Sequence, residues 1–583
     1  MVIKVPGYWD NLLFINLTSG EIWFENLNNI WKEYIGGIGV GSILFNRFGG
    51  NYTPFDERNP IIITTGPFVG TAFPNSGRHE IVSRSPQTNL LGESNSGGHF
   101  GYELKRAGID GIVISGKAES PKLIYIKNEE IKIESASSLW GLDIYETQRK
   151  INKNEKFSIM AIGPAGENLV HFASVMNDEG RAAGRTGLGA VFGSKKLKAI
   201  AVHGEKIVPL HNKNEFNKLA GTIAKQIYDS PVVSGFRSFG SMIWIDGGQG
   251  FGDVPANYFR DHNFPYDSLS SMKFNEIFQV KSYHCSSCVI GCGRSVNYKN
   301  MVIDGPEYET VASFGSLLGN EDMEKILLWN HMINSLGMDT ISTGVLVSAL
   351  KFYIENNMLK DDAISEYFKN GFNGISKLIN DIAYLNGPGK DLSLGLEKFA
   401  LSKNIERDYI ATVKGLEIPM HDPRAFKLQG LVYATSSRGA DHMQGDMYQV
   451  DIGGAHDEIG ITMGDRWTVD SDERVMSMIK TEDYRQIYNS LIICYYAQPS
   501  PQDIVQAYNY ATGLEFDLND MMEIGSKIVN LKRKINESLG LKKEDDWLPK
   551  IVRLPIPGEP DESATGDDEL KSLLERYYRL RKW

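Results

Sequence analysis

Every cysteine of this 583-residue chain can serve one inorganic site: Cys285, Cys288 and Cys292 share the segment His284–Gly293, and Cys494 stands alone far downstream. A C-x2-C-x3-C loop plus a distant fourth thiol suits a [4Fe-4S] cubane, whose corner irons each take one sulfur. A structural zinc draws its ligands as two close pairs, so a triplet with a single favours the cluster over zinc. Disulfide staples are the third option, but a chain this long buries enough core without them, and a reducing compartment keeps thiols available for iron.

Length sets an expectation of about three or four domains, and 42% hydrophobic residues suit a globular protein. The first thirty residues mix Trp, Asp, Asn and Glu with apolar positions, unlike a signal peptide. No run approaches the ~20 apolar residues of a membrane helix, so a cytoplasmic protein with no membrane partner is expected. A net charge of -12 argues against a nucleic-acid groove, which needs a basic surface.

Short apolar runs bounded by Gly, Pro and Asn fill the first 205 residues: Pro60–Thr65, Gly111–Ser115 and Ala199–Val202. Beyond residue 211 the apolar spacing becomes helical, over Asn214–Ala224, Asp322–Leu336, Ser342–Glu355, Asp520–Leu539 and Glu569–Arg579. The expected fold is therefore α+β, a β-rich base domain followed by mostly helical sequence, with no repeat of solenoid period. Three glycine loops are candidate phosphate cradles: Gly36–Gly41, Ser94–Gly98 and Gly180–Gly189, the last with Arg181 and Arg185. Tight turns in a β-rich domain are the alternative reading. None ends in the Gly-Lys-Ser/Thr of a nucleotide loop.

The segment Leu13–Leu17 with Gly36-Gly37, the run Arg181–Gly193, the cysteine triplet, Gly305–Thr310, His421–Arg424, Arg438–His442 and Cys494 follow one another in an order that resembles the tungsten-dependent aldehyde:ferredoxin oxidoreductase family. The resemblance runs nearly end to end. It implies a β-rich base (1–210) holding a bis-molybdopterin under two mostly helical domains (211–417 and 418–583), with the active site buried between them. It assigns Cys285, Cys288, Cys292 and Cys494 to the cluster. It also places Arg78, Asn95, Gly97, Arg181, Ala182 and Arg185 around the pterin phosphates and a bridging Mg2+.

Two pterin-binding motifs of the family are altered here, to Asn334–Asp339 and Asn489–Cys494. An Asn carbonyl still accepts from a pterin amine but without the charge, so Asn334, Asp339, Asn489 and Ile493 are expected at the heterocycles. In the resemblance the metal, W or Mo, is held by dithiolene sulfurs and Glu309 and His442 are the active-site pair. His421 stands where some relatives have a tyrosine; donation to substrate and holding a turn are both open, and Glu307 competes with Glu309. The chemistry asks for a carboxylate to take a proton and an imidazole to polarise a carbonyl.

Aldehyde oxidation with one-electron transfer to ferredoxin or a ferredoxin-like subunit follows, in an expected homo-oligomer. The rival within the family is an aromatic acyl-CoA (benzoyl-CoA type) reductase. It is disfavoured because Gly315–Gly319 offers no thiol for the metal. A rival of another class, a protein carrying only the iron-sulfur cluster, leaves the arginine and glycine loops unexplained. Part of the substrate pocket is expected from Ser230–Tyr266, with core packing as the other reading.

Overall fold

The computed structural model describes residues 5–26, 30–153, 156–178, 180–556 and 558–583. Its base is two six-stranded sheets. In spatial order the first runs Ile22–Glu25, Leu12–Asn16, Gly111–Ser115, Ile61–Thr64, His79–Arg84, Leu91–Ser96. The second runs Glu130–Ser135, Lys122–Lys127, Leu197–His203, Ser158–Ala161, Val175–Asn177, Arg181–Ala183. Numbered by sequence within each half, both read 2-1-6-3-4-5, with the sixth strand inserted parallel to the first and every other pairing antiparallel. The base is thus one topology used twice, a repeat that no sequence periodicity announced.

The apolar runs explain the layering. Leu13, Ile15, Ile61, Ile63, Ile112 and Ile114 pack in one core with Ile124, Ile126, Val175, Ile200 and Val202 of the second sheet. Their alternates Leu12, Phe14, Ile62 and Val113 join a second core with the helix Gly37–Phe48. The second sheet turns Leu123, Ile159 and Ala201 towards the helix Ile144–Ile151. Strands buried on both faces lose the apolar/polar alternation, which is why they read as continuous hydrophobic runs. The two fifth strands, Leu91–Ser96 and Arg181–Ala183, lie side by side, so the loops that follow them meet.

Beyond the base, helices dominate at the expected places: Lys213–Asp229, Met323–Leu336, Thr340–Glu355, Leu518–Ser538 and Asp567–Arg581. The exceptions are a two-stranded hairpin, Thr412–Val413 with Leu416–Glu417, and a three-stranded sheet, Val280–Tyr283, Gly293–Tyr298 and Met301–Asp304, whose first hairpin connection is the cysteine loop itself. Its third strand leads directly into the helix Tyr308–Phe314, which carries Glu309 in its first turn. No helix among the described residues is long and apolar enough to cross a membrane.

One glycine loop is corrected by the fold. Gly36 to Gly41 does not face a cavity; a Cβ at Gly37 would sit 2.0 Å from the Asn489 carbonyl, and one at Gly36 2.7 Å from that of Ser490. These glycines let the helix Gly37–Phe48 approach the end of the helix Asp472–Leu491. Their role is close packing rather than phosphate binding.

Candidate active site

A cavity of about 390 Å3 opens where the fifth-strand loops, the cysteine hairpin and the helical part converge. It is lined by Cys285, Cys288, Cys292 and Cys494, by Arg78, Asn95, Gly97, Arg181, Ala182 and Arg185, by Asn334, Asp339, Asn489 and Ile493, and by Glu309, His421 and His442. Residues spread over more than four hundred positions therefore meet in one space.

The four thiols are free of disulfides. Asn75 ties the distant one to the triplet: its amide NH2 donates to Cys288 Sγ at 3.3 Å, its backbone N–H donates to Ser287 O at 2.7 Å, and its carbonyl accepts from Cys494 N at 2.8 Å. Asn75, Ser287 and Ile492 all adopt left-handed backbone, with φ of 59°, 56° and 63°. For β-branched Ile492 that conformation is strained, and such strain gathers at sites the surrounding structure over-determines. Ile290 N and Gly291 N point at Cys288 Sγ from 3.3 and 3.4 Å, ready for a thiolate. Burial pushes the thiols of Cys288, Cys292 and Cys494 up, which disfavours their thiolate forms.

Arg78, Asn95, Gly97 and Arg181 of the base lie next to this loop. A Cβ on Gly97 would lie 2.9 Å from Cys285 Sγ, so the backbone after the first fifth strand passes directly beneath the cysteines. Arg78 Nε donates to Asn95 Oδ1, and Asn95 Nδ2 to Glu80 Oε2. Arg181 pairs with Glu307 at 2.9 Å through one nitrogen, while its Nε and Nη2 are buried without partners. Unpartnered guanidinium N–H groups are costly inside a protein. They mark a place for an anion, and the residues fit a phosphate-bearing cofactor. Arg185 is anchored on Glu417 O at 2.6 Å and lies 3.2 Å from Asp339.

The altered pterin motifs also have local work. Asp339 caps the helix Thr340–Glu355, accepting from Ile341 N and Ser342 N. Asn334 donates to Asn330 at 3.3 Å. Asn489 and Ile493 flank the left-handed end of the helix that delivers Cys494.

Glu307 and Glu309 are separated by their partners. Glu307 gives one oxygen to Arg181 and the other to Ser241. Glu309 accepts from Met420 N at 2.9 Å through Oε2 and leaves Oε1 buried and unpartnered. That oxygen is 3.5 Å from His442 Nδ1 and 3.9 Å from His421 Nε2. Burial pushes the Glu309 carboxyl up to about 8, with the Met420 N–H and Arg185 working against it. Burial also pushes both histidines down to about 3, so neutral rings face a carboxyl poised near neutrality.

Both histidines sit on turns braced by an Arg–Asp pair. Arg424 clamps Asp422 beside His421, and Arg438 clamps Asp441 beside His442 at 2.6 Å. His421 stacks on Tyr448 at 4.1 Å, and its Nδ1 lies 2.6 Å from Asp253. Phe236, Ser241 and Trp244 bring part of the Ser230–Tyr266 stretch to the cavity wall. Sequence reasoning did not name Asn75 or Asp253 individually, although Asp253 lies within Ser230–Tyr266. Only the fold brings each within hydrogen-bond reach of a site residue.

Residues 12–204 match the family description "Aldehyde ferredoxin oxidoreductase, N-terminal domain", and 218–583 match "Aldehyde ferredoxin oxidoreductase, domains 2 & 3". The chain is 37% identical to the tungsten-containing aldehyde ferredoxin oxidoreductase of Pyrococcus furiosus, covering 99% of this chain and 96% of that protein. It is 36% identical to the protein of the same name from Thermococcus kodakarensis, again over 99% and 96%. In three dimensions it is similar to a chain of the active-site complex BamBC of benzoyl coenzyme A reductase with 1,5-dienoyl-CoA. The TM-score is 0.86 at 21% identity, over 100% of this chain and 95% of that one, a likeness of fold. With two matching domain descriptions spanning the strands, the cysteine loop and the Glu–His cavity, this chain belongs to the aldehyde ferredoxin oxidoreductase family of tungsten-containing oxidoreductases.

Proposed function

We propose that this enzyme oxidises an aldehyde to the carboxylic acid on a tungstopterin cofactor and sends electrons singly through a [4Fe-4S] cluster to ferredoxin. Cys285, Cys288, Cys292 and Cys494 hold the cluster. Arg78, Asn95, Gly97, Arg181, Ala182 and Arg185 surround the pterin phosphates and their Mg2+, and Asn334, Asp339, Asn489 and Ile493 lie at the heterocycles. The observation that carries this reading is the free Oε1 of Glu309 facing two neutral imidazoles in the cavity that four free thiols also line.

When bound, the tungstopterin supplies the two-electron redox step. The chain supplies proton management and orientation. Glu309, held by the Met420 N–H, takes a proton at Oε1 in its ionised form. His442, neutral, orients and polarises the aldehyde oxygen. Glu307 is occupied by Arg181 and Ser241, so it braces the cluster side instead. Trp244, Tyr308 and Tyr448 wall the space around Glu309 and exclude water.

Dearomatising acyl-CoA reduction is the second reading, motivated by the fold of the benzoyl coenzyme A reductase chain. All four cysteines gather at one site, and Gly315–Gly319 provides no thiol for the metal. Anaerobically purified protein should contain W, phosphorus and about four irons per chain, and reduce ferredoxin with an aromatic or aliphatic aldehyde. Turnover of benzoyl-CoA with a low-potential donor, and none of aldehydes, would reverse the assignment.

A further inference from the structure

Glu309, His421 and His442 each bring one ligand atom to within 4.8 Å of the other two. We infer that these three side chains form a site for one borderline divalent cation of the Zn2+ class, a metal other than the tungsten, and that the bound ion blocks the aldehyde site. Binding follows from the geometry alone; its inhibitory effect rests on the aldehyde reading.

The donor atoms are free where a cation needs them. Glu309 Oε1 and His442 Nδ1 are both buried without a hydrogen-bond partner and lie 3.5 Å apart. His421 Nε2 is 3.9 Å from the same carboxylate oxygen. Metals with ligand bonds of about 2.0–2.2 Å set their donors about 3–4 Å apart, so small side-chain movements close the set. Two imidazoles with one carboxylate favour Zn2+, Co2+ or Fe2+ over Mg2+ and Ca2+, which prefer oxygen shells. Three protein ligands leave a further position open to water.

The ligands are also held from behind. Glu309 Oε2 accepts from Met420 N at 2.9 Å, which leaves Oε1 as the ligand atom. His421 Nδ1 lies 2.6 Å from Asp253 Oδ2, and Trp244 Nε1 donates to that same oxygen at 2.6 Å. A metal on Nε2 puts the ring's proton on Nδ1, where Asp253 accepts it, and a carboxylate behind a ligating histidine is the common support of such sites. The turn carrying His421 is fixed on three sides: Tyr308 OH donates to Met420 O, Tyr433 OH to His421 O at 2.9 Å, and Asp422 N to Asp253 O at 2.8 Å. Arg438 and Met443 N hold Asp441 beside His442. Ligands locked in this way are pre-organised for an ion. Because the site uses Glu309 and His442, an ion there takes the oxygen that accepts the proton and the ring that faces the aldehyde, so ion and substrate exclude one another.

The test uses anaerobic, cofactor-loaded enzyme, in which the cluster occupies the cysteines, with CoCl2 and ZnCl2 as probes. After dialysis the wild type should keep about one Co2+ per chain, with nitrogen and oxygen but no sulfur neighbours in cobalt-edge X-ray absorption. Zn2+ should displace it, and excess Mg2+ should not. Asp253→Asn keeps all three ligands and should weaken Co2+ binding by about 10- to 100-fold. His421→Gln and His442→Gln should each weaken it further, with W and Fe content and Tm as in the wild type. Zn2+ should inhibit aldehyde turnover competitively over the concentrations at which it displaces Co2+. No retained Co2+, sulfur among its neighbours, or wild-type binding in all three variants overturns the site. Zn2+ binding that leaves aldehyde turnover uninhibited overturns the blocking effect. Co2+ bound by nitrogen and oxygen in an enzyme that turns over no aldehyde upholds the site and overturns the functional reading alone.

Discussion

Glu309 shows how far burial carries an ordinary carboxylate from its usual range. The Met420 N–H and Arg185 favour its charged form, but desolvation outweighs both and raises it to about 8. The base form is therefore scarce below that value, and kcat/KM for aldehyde is expected to rise with pH towards about 8 and then level, as a pH-rate series would show. Glu309→Gln should cost about 10²- to 10³-fold in kcat, with W and Fe content unchanged. Stability follows the same proton. The folded carboxyl holds its proton more tightly than the unfolded one, whose reference value is 4.5, so the stabilisation is full below 4.5 and is lost as pH rises to about 8. In cofactor-free protein, thermal melts should show Glu309→Gln gaining on wild type across that window and equal to or below it under acid conditions.

At the scale of elements, the cysteine hairpin is positioned by backbone more than by side chains. Gly97 passes under Cys285 with room for a hydrogen only, and Asn75 bonds both Cys288 and the Cys494 backbone. Gly97→Ala would put a Cβ 2.9 Å from Cys285 Sγ. The expected result is loss of iron and of the reduced-cluster EPR signal with the helical circular dichroism unchanged. Gly37→Ala acts elsewhere. Its Cβ would meet the Asn489 carbonyl at 2.0 Å, on a backbone of φ +37°, so it should destabilise by about 1–3 kcal/mol or more, read as a lowered denaturation midpoint. The glycines of Gly36–Gly41 and Ser94–Gly98 looked alike in sequence. Packing set the first against a helix end and brought Gly97 of the second beneath Cys285, because a glycine's permissiveness does not say what approaches it.

Over the whole molecule, the base uses one six-strand topology twice and brings the two fifth strands together, and the helical part closes over them. Cys494 closes the cavity from the far end of the chain. On the proposed cluster assignment, Cys494→Ser should lower iron per chain and also lower Tm, since a ligand at the Asp472–Leu491 helix end is lost.

The residue types and spacing by themselves grouped the four cysteines and gave the strand-then-helix order, because thiolate chemistry and hydrophobic periodicity are local properties of a chain; Glu309 and His442 were named only through the family resemblance. Tertiary structure alone gave Glu307 and Glu309 different partners, Arg181 and Ser241 for the first and the Met420 N–H for the second. It also made the Asp253 carboxyl a neighbour of His421, found Asn75 at the cysteines, and doubled the base topology. Each of these depends on which distant segments share a few ångströms, and desolvation at such meeting points, not residue identity, sets the chemistry.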